Sequence, residues 1–244
     1  MSILLNVKVE EKWFGASKVL EDVEFSLVER QVLALLGPSG CGKSTLLRIA
    51  AGLDDDFRGQ VRRGDAIDAR RQAPISYVFQ EPRLMPWLTV AENIGFLDSG
   101  RQPDRAWVQD LIDAVGLTGF EQALSKQLSG GMAQRAAIAR GLYSRPQVLL
   151  LDEPFSAVDA FTRMALQQLV LDLIGRYGIS ILLVTHDIDE ALYLGDEVIV
   201  LGARPGRVCA RLDVALAHPR ARGDALLGEL KERALAELHG AHAL

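Results

Sequence analysis

Gly37-Pro38-Ser39-Gly40-Cys41-Gly42-Lys43-Ser44-Thr45 decides how this sequence folds. It fits the phosphate-loop pattern, glycine, four residues, then Gly-Lys-Ser/Thr. Before it runs Val32-Leu33-Ala34-Leu35-Leu36, apolar and short enough for a buried strand. After it runs Thr45-Leu46-Leu47-Arg48-Ile49-Ala50-Ala51, a helical stretch that Gly52 can cap. The loop therefore lies between a strand and a helix N-terminus, the setting in which such a loop binds phosphate. Its glycines let the backbone wrap closely and aim successive N–H groups inward. The helix dipole adds positive potential at the same place. On this reading Lys43 reaches the β- and γ-phosphates of a nucleotide, and the Ser44 hydroxyl ligates Mg²⁺.

Outward from the loop, residues 2–13 and 22–30 are expected to be strands. In the second, Val23, Phe25 and Leu27 alternate with Glu24 and Ser26, so one face is wet. The turn between them contains Phe14-Gly15. Further apolar runs at 77–79, 148–151, 181–184 and 198–201 supply a parallel core, and helical stretches separate several of them. Residues 106–115 are amphipathic and end at Gly116. Residues 131–143 are helical and precede Pro146, and 160–177 form a long helix closed by Gly178. The fold class expected is α/β: a phosphate-loop NTPase parallel-sheet core with an antiparallel N-terminal β subdomain and an inserted helical subdomain. A single domain over 1–244 is expected, with 1–80 and 146–202 as core. Residues 81–145 are the helical subdomain, and 203–244 a C-terminal turn and helix.

Bulk properties narrow the function. Net charge is −5 and the isoelectric point about 5.5, which argues against general nucleic-acid binding. Apolar runs are strand-length, well short of the ~20 residues of a membrane span. The N-terminus lacks the basic region and cleavage pattern of a signal peptide. Cys41 and Cys209 make no disulfide framework, so a reduced, cytosolic location is expected. The Cys41 thiol, near a helix N-terminus and Lys43, is expected to favour the thiolate.

Two further constellations carry chemistry. Val148-Leu149-Leu150-Leu151-Asp152-Glu153 is an apolar strand ending in two carboxylates. A carboxylate at a buried strand end is costly unless it serves a cation. Asp152 thus suits a Mg²⁺ ligand, and Glu153 a general base for an attacking water. Ser129, Gly130 and Gly131 open a helix and form a second anion site from hydroxyl, free N–H groups and dipole.

The combination of 37–45, Leu128-Ser129-Gly130-Gly131, 148–153 and Thr185-His186-Asp187, in this order, resembles the nucleotide-binding subunits of ATP-binding-cassette transporters. The resemblance covers roughly residues 4–206. It implies an ATPase using ATP and Mg²⁺, with Phe14 stacked on adenine and Gln80 touching Mg²⁺ and the water. It implies further that Ser156-Ala157-Val158-Asp159 crosses to a second subunit and that His186 contacts the γ-phosphate. Lys43, Gln80, Glu153 and His186 are the catalytic set, and Ser44, Gln80 and Asp152 the metal set. The other residues of the loop, Gly37, Pro38, Ser39, Gly40, Cys41, Gly42 and Thr45, bind nucleotide with Phe14 and Ser129–Gly131. The resemblance also implies a head-to-tail homodimer, with the phosphate loop of one copy facing Ser129-Gly130-Gly131 of the other. Its partners would be integral-membrane permease subunits and a periplasmic or lipid-anchored substrate-binding protein, and no nucleic acid. Its place would be peripheral, on the cytoplasmic face of the inner membrane. Met132, Val158 and Arg30-Gln31 depart from the usual residues, and none removes a chemical group.

Leu84-Met85-Pro86-Trp87-Leu88-Thr89-Val90, with Asp159-Ala160-Phe161-Thr162-Arg163 and Arg204-Pro205-Gly206-Arg207, is similar to importers of nitrate, sulfonate and taurine. Pro86 and Trp87 would form a stiff apolar surface where the permease docks. Uptake of a small oxyanion is therefore expected. The alternatives are an importer of small heterocycles such as thiamine precursors, a soluble cassette ATPase acting on nucleic acid, and a non-hydrolysing assembly module.

Overall fold

A computed structural model describes residues 2–64, 67, 74–98 and 102–242. In chain order the strands are β1 (Ile3–Phe14), β2 (Ser17–Val28), β3 (Val32–Leu36), β4 (Arg58–Arg63), β5 (Ile75–Val78), β6 (Val148–Asp152), β7 (Ser180–Thr185), β8 (Glu197–Leu201) and β9 (Val208–Asp213). The helices are α1 (Lys43–Ala51), α2 (Val90–Ile94), α3 (Arg105–Ala114), α4 (Gly130–Tyr143), α5 (Ala160–Tyr177), α6 (Ile188–Leu194) and α7 (Ala225–His242). They form two compact units, Met1–Ile67 with Ser180–Leu244, and Asp68–Ile179. The helical subdomain expected at 81–145 lies inside the second unit, which also takes in β5, β6 and α5.

In the first unit β1 pairs antiparallel with β2 on one side and β4 on the other. The hairpin places Phe14 opposite Ser17, so Phe14 ends the strand and Gly15-Ala16 make the turn. Gly15 takes the left-handed conformation such a turn needs, at φ 58°. β3 lies between β7 and β8, parallel to both, and β9 closes the edge antiparallel to β8. Every residue of β3 and β7 is buried. Their unbroken apolar runs suit strands covered on both faces, and each fully buried leucine or valine contributes roughly 1.5–3 kcal/mol. α1 and α6 supply cover for this sheet.

β4 and β9 did not stand out in the sequence. β4, Arg-Gly-Gln-Val-Arg-Arg, buries no residue and exists because it pairs with β1. β9 is likewise an edge strand, with Leu212 its one buried residue. Edge strands have one neighbour and little core to fill, so hydrophobic patterning marks them weakly.

In the second unit β5 and β6 pair in parallel, Ile75 opposite Val148 and Val78 opposite Leu151. α2, α3 and α5 pack with α4, whose Ala136, Ala137, Ile138, Ala139 and Leu142 are buried. α5 runs from Ala160 to Tyr177 and ends at Gly178 in the left-handed conformation. Among the described residues no helix is long and apolar enough to cross a membrane.

The C-terminal segment is anchored by Arg220, a buried guanidinium. It donates to the carbonyls of Leu192 (2.8 Å), Gly195 (2.6 Å) and Leu216 (2.9 Å), and lies 3.4 Å from Asp196 Oδ1. Removing it strands buried carbonyls at the end of α6 and frees the tail. Arg220→Met is expected to destabilise the protein by about 3 kcal/mol. The measure is the urea midpoint, and an unchanged midpoint would show that Arg220 anchors nothing.

Candidate nucleotide-binding site

The phosphate loop leaves β3 at Leu36 and enters α1 at Lys43. Gly42 is the N-cap, at φ 102°, and α1 has no side-chain cap. A Cβ at Gly42 would stand 2.7 Å from Leu20 Cδ2, so space as well as backbone conformation demands glycine there. An uncapped helix start leaves N–H groups for an anion. Lys43 is only 4% exposed, and its ammonium donates to the carbonyls of Gly37 (2.8 Å) and Pro38 (2.9 Å). The charge thus folds back over the loop, on the span where phosphate is expected.

Phe14, at the tip of the β1–β2 hairpin, is 52% exposed. Beneath it the buried Lys12 places its Nζ 4.8 Å from the ring centroid. Lys12 donates to Asp54 Oδ1 at 2.8 Å and to the Asp56 carbonyl. Burial alone would lower its pKa, but the hydrogen bond and charge of Asp54 outweigh it and hold the ammonium above its usual range. A fixed cation under the ring orients it as a flat apolar surface. His186 is exposed, between β7 and α6. Its neighbours are locked: Thr185 Oγ1 donates to Glu190 Oε2 at 2.7 Å, and Asp187 caps α6.

The second unit holds the remaining residues. Asp152, buried at the end of β6, accepts from the Tyr77 hydroxyl at 2.7 Å. Glu153 follows with φ 44°, a conformation side chains rarely adopt. Strain of about 1–3 kcal/mol at such a residue persists where the surroundings impose it, commonly at functional sites. Gln80 is exposed and donates to Ser156 Oγ at 3.2 Å, which donates in turn to the Glu153 carbonyl at 3.0 Å. This chain ties Gln80, Ser156 and Glu153 together.

Ser129 caps α4, accepting from the Met132 N–H at 3.3 Å, while Gly130 is exposed and Gly131 buried. A Cβ on Gly131 would stand 2.5 Å from Thr162 Cγ2. Thr162 donates to Asp159, whose carboxylate also caps α5. Hydrogen bonds from Thr162 hold the Asp159 carboxyl below its ordinary pKa. The Ser156–Asp159 loop and the start of α4 are therefore linked through Thr162.

Reading the sequence missed Tyr77, Lys12 and Thr162. Tyr77 sits in the short strand β5, Lys12 alternates with exposed positions of β1, and Thr162 looks like an ordinary first-turn residue. Only Lys12 gave a signal, a cation two places before an exposed aromatic. The thiolate expected at Cys41 is corrected: its thiol is buried, and burial pushes the pKa up despite the nearby Lys43 charge. Trp87 is 71% exposed, so it does not pack inside the helices.

Mg²⁺ can be tested against the donors present. Among the described residues no cluster of His, Cys, Asp and Glu forms a protein-only metal cage. Within the second unit the Asp152 carboxylate, held by the Tyr77 hydroxyl, and the exposed Gln80 amide are hard oxygen donors, but few. Sparse oxygen donors of this kind suit Mg²⁺, which keeps several waters and shares phosphate oxygens.

The ABC transporter family pattern matches residues 20–156, and the chain belongs to that family. It is 60% identical over 241 residues to an aliphatic sulfonates import ATP-binding protein of Pseudomonas syringae pv. syringae, covering 99% of this chain and 98% of the relative. It is 58% identical over 250 residues to the corresponding protein of Pseudomonas aeruginosa, with both chains fully covered. Among solved structures, cbiO1 from Clostridium perfringens, part of an ABC transporter complex, superposes with a TM-score of 0.76 at 27% identity, over 88% of this chain and 90% of that one. A dimeric post-hydrolysis cassette bound to ADP and Pi, MJ0796, superposes with 0.72 at 30% identity, over 88% of this chain and 100% of that one.

Burial decides cysteine reactivity here. Maleimide is expected to label the exposed Cys209 in the native chain and to reach Cys41 only on unfolding. Mass mapping of the labelled peptides checks this, and native labelling of Cys41 at the rate of Cys209 would contradict its burial.

Proposed function

We propose that this chain is the ATP-hydrolysing subunit of an importer of aliphatic sulfonates. The carrying observation is likeness to aliphatic sulfonates import ATP-binding proteins at 60% identity over 99% of the chain. That likeness runs over nearly the whole chain, well beyond the 20–156 stretch that the family pattern matches.

In this reading Lys43 exchanges its bonds to the Gly37 and Pro38 carbonyls for β- and γ-phosphate oxygens. The N–H groups of residues 39–45 and the uncapped start of α1 complete the cradle. Phe14 stacks on adenine through its exposed face. Ser44, Asp152 and Gln80 would hold Mg²⁺, with Tyr77 fixing the Asp152 carboxylate. When bound, that ion would neutralise phosphate charge.

Glu153 takes a proton from a water whose oxygen attacks the γ-phosphorus. The bond to the β–γ bridging oxygen breaks, leaving ADP and inorganic phosphate. His186 donates a hydrogen bond to a γ-phosphate oxygen. Ser129, Gly130 and Gly131 serve the nucleotide of a second copy in a head-to-tail dimer. Loss of the γ-phosphate then releases that contact, which makes closure depend on ATP.

The exposed Trp87, with Pro86, offers an apolar surface for permease subunits, and a substrate-binding protein would deliver the sulfonate. The subunit works at the cytoplasmic face of the membrane, peripherally.

Glu153→Gln is expected to retain MgATP binding, lose about 100-fold or more in turnover and accumulate as an ATP-bound dimer. A strain lacking the chain should fail on an alkanesulfonate as sole sulfur source. The intact chain should restore growth, and Glu153→Gln should not. Growth of the deletion strain on sulfonates, with failure on a thiamine precursor, would move the assignment to heterocycle import.

A further inference from the structure

Arg204-Pro205-Gly206-Arg207 stands in the sequence as a marker of importer type, far from the phosphate loop in chain order. In the folded unit it lies against that loop. The Gly206 N–H donates to the Val19 carbonyl at 2.8 Å, and the Gly206 carbonyl accepts from the Glu21 N–H at 3.0 Å. A Cβ on Gly206 would stand 2.1 Å from the Cys41 carbonyl oxygen, so its backbone touches the loop directly. Arg207 anchors the segment, donating through Nε to Glu21 Oε2 at 2.8 Å. The hydrogen bond from Arg207, ahead of that from Lys18, holds the Glu21 carboxyl below its usual pKa.

Arg204 then reaches the crown of the loop. Its Nε donates to the Gly40 carbonyl at 2.8 Å, and its Nη2 lies 3.4 Å from where a Gly40 Cβ would be. We infer that Arg204 is a positioning residue of the nucleotide site, which pins the Gly40–Cys41 peptide so that its N–H faces the phosphates. This rests on the reading of 37–45 as the nucleotide cradle.

The reason is peptide geometry. In a trans peptide the C=O and N–H point in opposite directions. A carbonyl held outward by Arg204 therefore turns the Cys41 N–H inward. That N–H donates to the Pro38 carbonyl at 3.3 Å, a long bond that a phosphate oxygen can replace. Gly40, at φ 79°, has backbone freedom to flip this peptide. Flipped, it would present a carbonyl to the phosphates and repel them. Arg204 removes that alternative before nucleotide arrives, so the cradle binds without first reorganising.

The test is MgATP binding and hydrolysis by the full-length chain with Arg204→Ala, Arg204→Lys and Lys43→Ala. Arg204→Ala is expected to raise KM and Kd for MgATP about tenfold with kcat within about twofold of wild type. Arg204→Lys, which keeps one N–H donor, should recover most of that loss. A drop in Tm with unchanged KM in Arg204→Ala would reduce Arg204 to a structural brace and overturn the inference. Should Arg204→Ala fail to fold, Arg204→Gln replaces it, and a raised KM there beside a near-wild-type KM in Arg204→Lys supports a charged donor at this carbonyl. Equal KM in the lysine and glutamine variants would overturn it. Lys43→Ala separates the two levels. If it weakens MgATP while Arg204→Ala does not, only the role of Arg204 falls. If neither weakens it, the cradle itself is misassigned.

Discussion

The proposed phosphate cradle depends on one charge above all, the Lys43 ammonium, held over its own loop. A buried ammonium needs acceptors, and the Gly37 and Pro38 carbonyls supply them at 2.8 and 2.9 Å. Those acceptors are weaker than phosphate oxygens, so the loop keeps the lysine in place without satisfying it as well as an anion would. Three constraints make the arrangement possible. β3 is buried along its whole length and ends rigidly at Leu36. Gly42 has no room for a side chain beside Leu20. The start of α1 carries no side-chain cap that would compete for its N–H groups.

In each unit the polar groups are fixed before any ligand binds. Lys12 is clamped by Asp54 beneath Phe14, Tyr77 holds Asp152, and the Gln80–Ser156–Glu153 chain ties an amide, a hydroxyl and a strained residue together. Prior ordering of this kind lowers the reorganisation needed for binding and for charge stabilisation during hydrolysis. It also explains why residues of ordinary type sit in unusual settings, such as an ammonium with almost no exposure under an aromatic ring.

Much of the fold was legible because the informative strands are the buried ones. β3, β6, β7 and β8 are near-continuous apolar runs, and α5 shows its helical face and its Gly178 cap plainly. β4 and β9 were not legible, since they exist through pairing and bury almost nothing. The phosphate loop was legible because its chemistry requires a fixed local spacing. Tyr77, Arg220 and the contact of Thr162 with Gly131 were not, because each joins positions far apart in sequence, and no local pattern encodes that. Cys41 shows a related gap. Its neighbours in sequence favour a thiolate, but packing around it raises the pKa, and packing is invisible until the chain folds.

The claim that this loop is a phosphate cradle is tested most directly by calorimetric titration of the wild-type chain with MgATP, MgADP and adenosine. If the loop and Lys43 carry recognition, affinity falls in that order, with MgATP at least about tenfold tighter than adenosine. Adenosine binding as tightly as MgATP would place recognition in the base alone and contradict the account.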